Sequence, residues 1–203
     1  MHIESTERKI PKENKKVKAI IGAGQALFAQ FGYKKTTVDE IARTAKVAKG
    51  TMYKYFQSKD DIFAEVVHRE GNHITELIEE AVAREKNPSN KIRALILVKI
   101  REIKKAVSFY KVTREVAHEL WPIMNTVRSD FYDWECELIT KILYEGIGTG
   151  QFKINRVEMV ATIIATVLKA LELEWVLERE PSELEAEVDL LMDIILWGIT
   201  GKA

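Results

Sequence analysis

A short run of polar residues at the start of a predicted helix carries the clearest chemical signal in this sequence. Within seven positions the chain places Lys49, Gly50, Thr51, Tyr53 and Tyr55, and the intervening apolar residues have the spacing that turns this set outward. Lysine can bind guanine edges or phosphates, hydroxyl groups can bind phosphates, and the apolar parts of threonine and tyrosine can contact thymine methyl groups. The segment therefore predicts a helix that binds in the major groove of DNA.

Two short helices are expected to position these residues. Apolar spacing predicts helices over 38–45 and 49–56, joined by residues 46–48. Short helices with so brief a turn are typical of a helix-turn-helix, whose second helix enters the major groove. Thr37 and Glu40 form a capping-box pattern in front of the first helix, because the threonine oxygen can accept from the amide three residues on while the glutamate reaches back.

The same region resembles TetR-type transcriptional regulators. The resemblance lies in VAKGTMYKYFQSKDDIF and, before it, FAQFGYKKTTVDEIARTAKV, and it covers about forty residues, from Phe28 to Phe63, without a gap. It implies an all-α fold, in which a small N-terminal three-helix DNA-binding domain precedes a larger C-terminal helical domain for ligand binding and dimerisation. The chain departs from the family at Ala48, where a Ser or Thr often caps the recognition helix, and losing such a cap costs about 1 kcal/mol.

The resemblance also implies particular DNA contacts. Thr37 would donate to a phosphate as well as cap its helix, and Lys59 would bind a phosphate at the start of the next helix. The implied set is Lys34, Lys35, Thr37, Lys46, Lys49, Gly50, Thr51, Tyr53, Tyr55 and Lys59. Taken singly, Tyr53 could be an ordinary surface residue and Thr37 only a helix cap, but the spacing of the whole set favours DNA contact.

Charge divides the chain as the resemblance does. The net charge of the whole chain is zero, yet residues 1–60 carry 13 Lys and Arg against 6 Asp and Glu, and the remainder has the opposite excess. A basic segment on an acidic body indicates a polyanion-binding part, although a basic solvated surface is the alternative. We expect a DNA-binding domain with a polar tail over 1–58, and a ligand-binding and dimerisation domain over 59–203.

Helical periodicity continues to the C-terminus. Predicted helices cover 12–31, 38–45, 49–56, 59–84, 90–111, 113–120, 123–147, 156–179 and 183–199. Predicted breaks include Gly32 and the pair Trp121-Pro122. Further capping patterns occur at Ser58–Asp61, at Ser182–Glu185 and at Asn155.

Aromatic and polarisable residues between positions 109 and 136 suggest an apolar ligand pocket, since such pockets combine apolar walls with a few polar groups. The candidate lining is Phe109, Tyr110, Arg114, His118, Trp121, Met124, Phe131, Tyr132 and Trp175. The alternative for any one of these is ordinary core packing. By analogy with the family we expect a fatty acyl derivative, an aromatic compound or a drug-like cation.

The last two helices are expected to form the dimer interface, as the resemblance implies. The candidate interface is Ile164, Val167, Leu168, Leu171, Leu184, Val188, Leu191 and Ile195. Burial within one subunit is the alternative. A twofold dimer would double the DNA contacts of one short recognition helix and would require a palindromic site.

Several function classes find no support in the sequence. His68 and His73 lie five apart, on different faces of a helix, so they do not form a helical zinc pair, and no glycine-rich nucleotide loop follows a strand. A single cysteine and the lack of an apolar run of about 20 residues favour a cytoplasmic protein without membrane spans. We expect neither an enzyme nor a cofactor.

The sequence thus predicts a homodimeric repressor that leaves a palindromic operator when a small, mostly apolar effector binds. Two alternatives stay open: a DNA-binding protein controlled by a protein partner, and a helical small-molecule-binding protein with a vestigial helix-turn-helix.

Overall fold

The computed structural model describes residues 15–200, apart from the side chains of residues 173, 181, 182 and 197–200. Over that range the chain forms eight helices and no strand, which confirms the all-α class. The helices are α1 (Lys15–Phe31), α2 (Val38–Thr44), α3 (Lys49–Met52), α4 (Lys59–Arg84), α5 (Pro88–Phe109), α6 (Arg114–Gly148), α7 (Val157–Glu178) and α8 (Pro181–Thr200). The predicted start of the first helix, near residue 12, lies outside the described residues.

The chain divides into two compact units. The N-terminal unit ends at Val66 and the C-terminal unit begins at Val67, so the division falls within α4. The sequence-based boundary between residues 58 and 59 stays a prediction. None of the helices between residues 15 and 200 is long and apolar enough to cross a bilayer.

The N-terminal unit is built on one apolar core. Phe28 lies at the centre of this core. The centre of its ring is 5.3 Å from the ring centre of Phe63 and 5.9 Å from that of Tyr33. A Cβ atom on Gly24 would lie 2.8 Å from Ile62, so the glycine allows α1 and α4 to approach closely. The other buried side chains of this core include Val17, Ile20, Ile21, Ile41, Met52 and Phe56.

Short-range hydrogen bonds fix the helix ends of this unit where the sequence predicts them. Gly32 ends α1 with a φ of +78°, in the left-handed region that glycine adopts without strain. Thr37 caps α2 in a complete capping box with Glu40. Ser58 and Asp61 exchange backbone-to-side-chain bonds of 3.1 Å at the start of α4. These three patterns are confirmed.

The turn of the helix-turn-helix has a feature that the sequence did not indicate. Lys46 has a φ of +55°, its amide donates to the carbonyl of Arg43, and the next amide, that of Val47, donates to Ala42. This pair of bonds is a Schellman motif, which usually has glycine at the left-handed position. A lysine there costs roughly 1–2 kcal/mol of backbone strain. The sharp turn between α2 and α3 depends on that conformation.

The recognition helix is shorter than predicted. Only Lys49–Met52 is helical, and residues 53–55 continue as turns that end at Phe56. Ala48 occupies the N-cap position without a side-chain hydrogen bond, so the expected loss of a cap at this helix is confirmed. With one turn of helix and no cap, α3 depends on the burial of Met52 and Phe56 for its position.

In the C-terminal unit α5 contacts α6, α7 and α8, and α6 also contacts α7. Two glycines let aromatic rings lie directly on helix backbones. A Cβ atom on Gly146 would lie 2.0 Å from the buried ring of Phe152, and one on Gly71 would lie 2.2 Å from Phe131. The core around α5 contains Ile92, Leu95, Ile96, Ile100, Ile139, Leu143, Leu168 and Val188, among others.

The predicted break at Trp121-Pro122 is wrong, because α6 runs from Arg114 to Gly148 with Pro122 inside it. Proline removes one hydrogen bond, to the carbonyl of His118. Both residues are exposed, so that carbonyl can be hydrated, while the buried stripe continues from Leu120 to Val127 on the other face.

Two weaker capping predictions also fail. The left-handed Arg156, not Asn155, precedes α7, and α8 already begins at Pro181, before Ser182.

Candidate DNA-binding surface and effector unit

The recognition segment presents the predicted side chains on the surface of the N-terminal unit. Lys49 and Gly50 are exposed, Thr51 is half-buried, and 45% of Tyr53 is accessible, which is high for so large an aromatic residue. Tyr55 is half-buried. An accessible tyrosine next to lysine and threonine, at the end of a one-turn helix, has the composition of a base-contacting surface.

Lys49 is already engaged in an ion pair. Its Nζ lies 2.7 Å from Oδ1 and 2.9 Å from Oδ2 of Asp39 in α2. A hydrogen bond and the charge of Asp39 raise the pKa of Lys49 above its ordinary value. Both side chains are more than half exposed, so the pair is weak in water and a DNA phosphate or guanine can replace the carboxylate.

Thr37 and Lys59 both have partners within the unit. The hydroxyl of Thr37 donates to Oε2 of Glu40 at 2.7 Å, and these bonds lower the pKa of Glu40. Lys59 donates to the carbonyl of Tyr33 at 2.9 Å and lies 4.1 Å from the centre of its ring. Each residue therefore has a structural role, and a phosphate contact by either stays a prediction.

The other predicted phosphate contacts are spread around this surface. Lys34 and Lys35 are exposed in the turn between α1 and α2, and Lys46 is exposed in the turn before α3. Two exposed cations that the sequence analysis missed are Arg43 at the end of α2 and Lys54 beside Tyr53. Lys54 could have been found from its place between two predicted contacts.

The structure divides the predicted pocket residues. Tyr110 and Trp175 are buried, Met124, Phe131 and Tyr132 are half-buried, and Arg114, His118 and Trp121 are exposed. Phe109 is 58% accessible, so it is not a core residue. These positions do not together line one described cavity.

An open groove of about 290 Å³ brings together two of them, Phe109 and Tyr110. The groove lies between residues 70–74 of α4 and residues 102–110, at the C-terminal end of α5. Glu70 lines it and accepts a 2.5 Å hydrogen bond from the hydroxyl of Tyr110. The volume is slightly below the range of roughly 300–1,000 Å³ that is found for small-molecule sites.

The polar members of the predicted pocket, Arg114, His118 and Tyr132, do not converge on one buried site. Arg114 pairs with Glu178 at 2.6 Å on the surface, and Tyr132 bonds to Thr166 at 2.9 Å. His118 is exposed on α6. None of these three side chains is a buried polar group aimed into the core.

The buried polar groups of this unit are different residues, which the sequence analysis missed. Lys99 of α5 lies 2.8 Å from Glu135 of α6 and 3.2 Å from Glu172 of α7. Arg128 of α6 lies 2.9 Å from Glu172. We call these four residues the charge network. In the sequence each is a charged position inside a long helix, with no motif to distinguish it from a surface residue.

Burial and pairing oppose each other in the pKa values of the charge network. Burial lowers the pKa of Lys99, but the charges of Glu172 and Glu135 outweigh it, so the pKa of Lys99 is raised. Burial raises the pKa of Glu135, and its bonds to Lys99 only partly reverse this. The two cations and the two carboxylates of the charge network have a formal net charge of zero.

The predicted dimer interface needs correction. Ile164, Leu168, Leu184 and Val188 are buried within the chain, so they cannot present their side chains to a partner. Val167 is exposed, and Leu171, Leu191 and Ile195 are half-buried. The exposed apolar stripes of α7 and α8 consist instead of Met159, Ile163, Val167, Leu190 and Ile194. The apolar residues of α7 and α8 do follow helical spacing, but they extend around both faces of each helix. The sequence therefore did not show which face the core would cover.

Comparison with known proteins identifies the N-terminal unit. The family model "Bacterial regulatory proteins, tetR family" matches residues 20–66, the segment that contains the helix-turn-helix.

Relatives extend the likeness over the whole chain. The HTH-type transcriptional regulator YhgD of Bacillus subtilis is 28% identical over 91% of this chain and 97% of its own length. The fatty acid metabolism regulator protein of the same organism is 26% identical over 90% and 95%. A crystal structure of a transcriptional regulator from Cytophaga hutchinsonii, 20% identical, covers 92% of this chain and all of its own, with a TM-score of 0.72, and shows the same fold.

The family match at the helix-turn-helix, the full-length relatives and the shared fold agree with the exposed recognition surface. Residues 20–66 match the tetR family of bacterial regulatory proteins, and the relatives that are similar over most of the chain are named as regulators, so the comparisons support a DNA-binding transcriptional regulator of the TetR family.

Proposed function

We propose that this regulator is a homodimeric repressor, and that it leaves a palindromic operator when a small, mostly apolar effector binds its C-terminal unit. The observation that carries the DNA part is the exposed set Lys49, Gly50 and Tyr53, which lies on and directly after a one-turn helix held by the buried Met52. In the sequence the predicted phosphate contacts lie on both sides of that set, between Lys34 and Lys59.

The apolar stripes on α7 and α8 support the dimer. Ile163 and Ile194 are 55% and 64% accessible, and each lies four residues from another exposed apolar side chain, Val167 or Met159 on α7 and Leu190 on α8. Large aliphatic side chains so exposed, on two helices of one unit, are typical of a surface that another protein covers. A second copy of the chain fits the palindromic operator.

The effector class is inferred from composition and from one relative. The half-buried aromatic residues of α6 suit an apolar molecule, whereas the groove combines Phe109 and Tyr110 with charged side chains such as Glu102 and Lys105. A relative similar over its full length is a fatty acid metabolism regulator protein. A fatty acyl derivative is therefore the first effector to test.

Selection of bound sequences from a random duplex pool tests the DNA part. We expect a palindrome, with affinity that falls steeply as salt rises, because lysine–phosphate contacts release counterions. The double variant Lys49→Ala/Tyr53→Ala should lose about 100-fold in affinity for that site, since each base contact is worth about 1–3 kcal/mol. Lys86→Ala, an exposed lysine outside the helix-turn-helix, is the control. Unchanged affinity in the double variant would refute the proposed surface.

Sedimentation tests the dimer. Ile163→Glu and Ile194→Glu should each convert dimers to monomers, because a buried carboxylate at an apolar interface is not compensated. Asn90→Glu, at an exposed position of α5, adds the same charge and should leave the dimer intact. Release of the selected operator by a panel of acyl derivatives then tests induction.

A further inference from the structure

The charge network has no role in the proposed DNA contacts or dimer, yet it is an expensive feature of the C-terminal unit. Buried ion pairs rarely stabilise a fold more than apolar side chains of the same volume would, because removing the ions from water costs as much as their attraction returns. Here four charges lie between three helices, α5, α6 and α7. A function other than stability is the natural explanation for them.

Glu172 is the residue that joins the two cations. One of its carboxylate oxygens lies 2.9 Å from Arg128 and the other 3.2 Å from Lys99. Lys99 also bonds to both oxygens of Glu135 at 2.8 Å. Without the carboxylate of Glu172, the network would contain two cations and one carboxylate, and it would attract one further anion to the position between Arg128 and Lys99.

The network is closest to solvent at Arg128. Its side chain is 14% accessible, against 12% for Lys99, 10% for Glu172 and 5% for Glu135. Its guanidinium lies 5.6 Å from the centre of the ring of Trp121, which is 39% accessible. A molecule from solvent would therefore meet the Trp121 ring first, then the guanidinium, whose planar donors fit a carboxylate or a phosphate.

Several neighbours of the network along α6 and α7 are apolar or aromatic, although Lys169 also lies one turn from Glu172, with its Nζ 5.1 Å from the centre of the Tyr132 ring. Met124 precedes Arg128 by one turn of α6, and Tyr132 follows it by one turn. On α7 Leu168 and Trp175 lie within one turn on either side of Glu172, and both are buried. A ligand with an anionic head and an apolar body matches this combination.

We propose that Arg128 and Lys99 form a binding site for the anionic head group of an amphiphilic ligand, which takes the place of the Glu172 carboxylate. In the ligand-free chain Glu172 is the internal substitute for that head group. The inference rests on the proposed effector function of this unit and names the chemistry of the effector. In this proposal Arg128, rather than His118 or Arg114, is the polar group beside the predicted aromatic pocket residues.

Calorimetry with matched ten-carbon probes tests the site. Decanoate and decyl phosphate carry the anion, whereas 1-decanol and decyltrimethylammonium share the chain without it. We expect the wild-type chain to bind the two anions at least tenfold more tightly than the other two probes. The ratio of the affinities for decanoate and decyl phosphate shows whether the site prefers a carboxylate or a phosphate head group.

Two substitutions should change the affinity for decanoate in opposite directions. Glu172→Gln keeps the volume and removes the competing carboxylate, so it should raise the affinity at least tenfold. Arg128→Gln should lower it at least tenfold. Glu174→Gln removes an exposed carboxylate of α7 that pairs with Arg179 just after the helix, and as the control it should leave the affinity for decanoate unchanged.

Equal binding of decanoate and 1-decanol, or a Glu172→Gln chain that binds decanoate no more tightly than wild type, would overturn the proposal. If Glu172→Gln does not fold, Glu172→Gln/Arg128→Gln restores the pairing of Lys99 with Glu135 and should fold without binding decanoate. Tight decanoate binding by that double variant would equally overturn the proposal.

Operator release separates this inference from the proposed function. If decanoate binds as expected but the operator stays bound, the head-group site stands and induction by this ligand fails. If a neutral compound releases the operator while decanoate binds no better than 1-decanol, induction stands and the head-group site is refuted.

Discussion

The N-terminal unit keeps its charges outside an apolar core, whereas the C-terminal unit encloses charges between its helices. Among the described residues, the polar side chain buried in the N-terminal unit is that of Thr36, which donates to the carbonyls of Leu27 and Gly32 at the end of α1. The C-terminal unit buries Glu135 and Glu172. A neutral hydroxyl that closes a helix end costs little, but two buried carboxylates require their cations.

The difference matches the tasks that we propose for the two units. A surface that binds one DNA site benefits from a fixed frame, and the N-terminal unit has side-chain caps at the starts of α2 and α4, a Schellman turn before the uncapped α3, and a closely packed aromatic centre. A unit that responds to an effector benefits from groups whose partners can be exchanged. Each of the following experiments tests whether that contrast holds.

The largest effect is expected from Lys99→Met. The free energy of unfolding of the C-terminal unit should fall by about 3–5 kcal/mol, because two buried carboxylates lose their shared cation. All four tryptophans of the chain lie after residue 66, so their fluorescence in urea reports on this unit. Lys141→Met, at an exposed position of α6, should change stability by less than about 0.5 kcal/mol. A loss below about 1 kcal/mol for Lys99→Met would mean that the two carboxylates do not depend on Lys99 for their burial.

Alanine substitution of glycine should have opposite signs in the two units. Gly146→Ala places a methyl group 2.0 Å from the buried Phe152 ring, and the overpacking should cost about 1–3 kcal/mol in the tryptophan assay. Gly22→Ala adds its methyl group where no atom lies within 4 Å, on an exposed face of α1. It should raise the stability of the N-terminal unit by about 0.5–1 kcal/mol, measured by amide hydrogen exchange. A loss of stability in Gly22→Ala would contradict the open, exposed position of Gly22 on α1.

Removing the cap of α2 tests the rigidity of the DNA-binding frame. Thr37→Ala should cost about 1 kcal/mol, visible as faster hydrogen exchange in α2. The pKa of Glu40 is lowered by its bonds to Thr37, so its contribution is complete above the unfolded value of 4.5 and is lost as pH falls through the lower folded value. The difference between variant and wild type should therefore shrink in acid. A difference that stays constant to low pH would exclude Glu40 from the cap.

The smallest effect is expected at the turn. Lys46→Gly relieves a left-handed lysine and should stabilise the N-terminal unit by less than about 1 kcal/mol. If Lys46 binds a phosphate, the same substitution should lower the slope of log affinity against log salt by about 0.9. A stabilised unit with an unchanged slope would remove Lys46 from the DNA contacts and leave it a purely structural residue.

The sequence predicted what local interactions determine. The helix ends at Gly32, Thr37 and Ser58 follow from conformational freedom and from hydrogen bonds within four residues, and the structure has all three. It did not predict Lys46, because the left-handed position of a Schellman turn usually carries glycine.

Tertiary packing decided the features that the sequence did not predict. Pro122 remains inside α6 because the packing of Leu120 and Val127 continues past it, which no local rule indicates. The charge network joins residues from three helices up to 73 positions apart. The face of α7 that the core covers depends on where α5 and α6 pack, so neither the family resemblance nor apolar periodicity showed that Leu168 would be buried within the chain.

The ion pair between Lys49 and Asp39 has a consequence for the thermodynamics of DNA binding. A lysine side chain free in solvent samples many rotamers and loses up to about 2 kcal/mol of conformational entropy when a partner orders it. In the free regulator Asp39 already restricts those rotamers. In the proposed complex the entropic cost of ordering Lys49 is correspondingly smaller, while the enthalpy of its contact is reduced by the bond to Asp39 that must break. Asp39 thus makes the contribution of Lys49 less dependent on temperature than that of a freely rotating lysine.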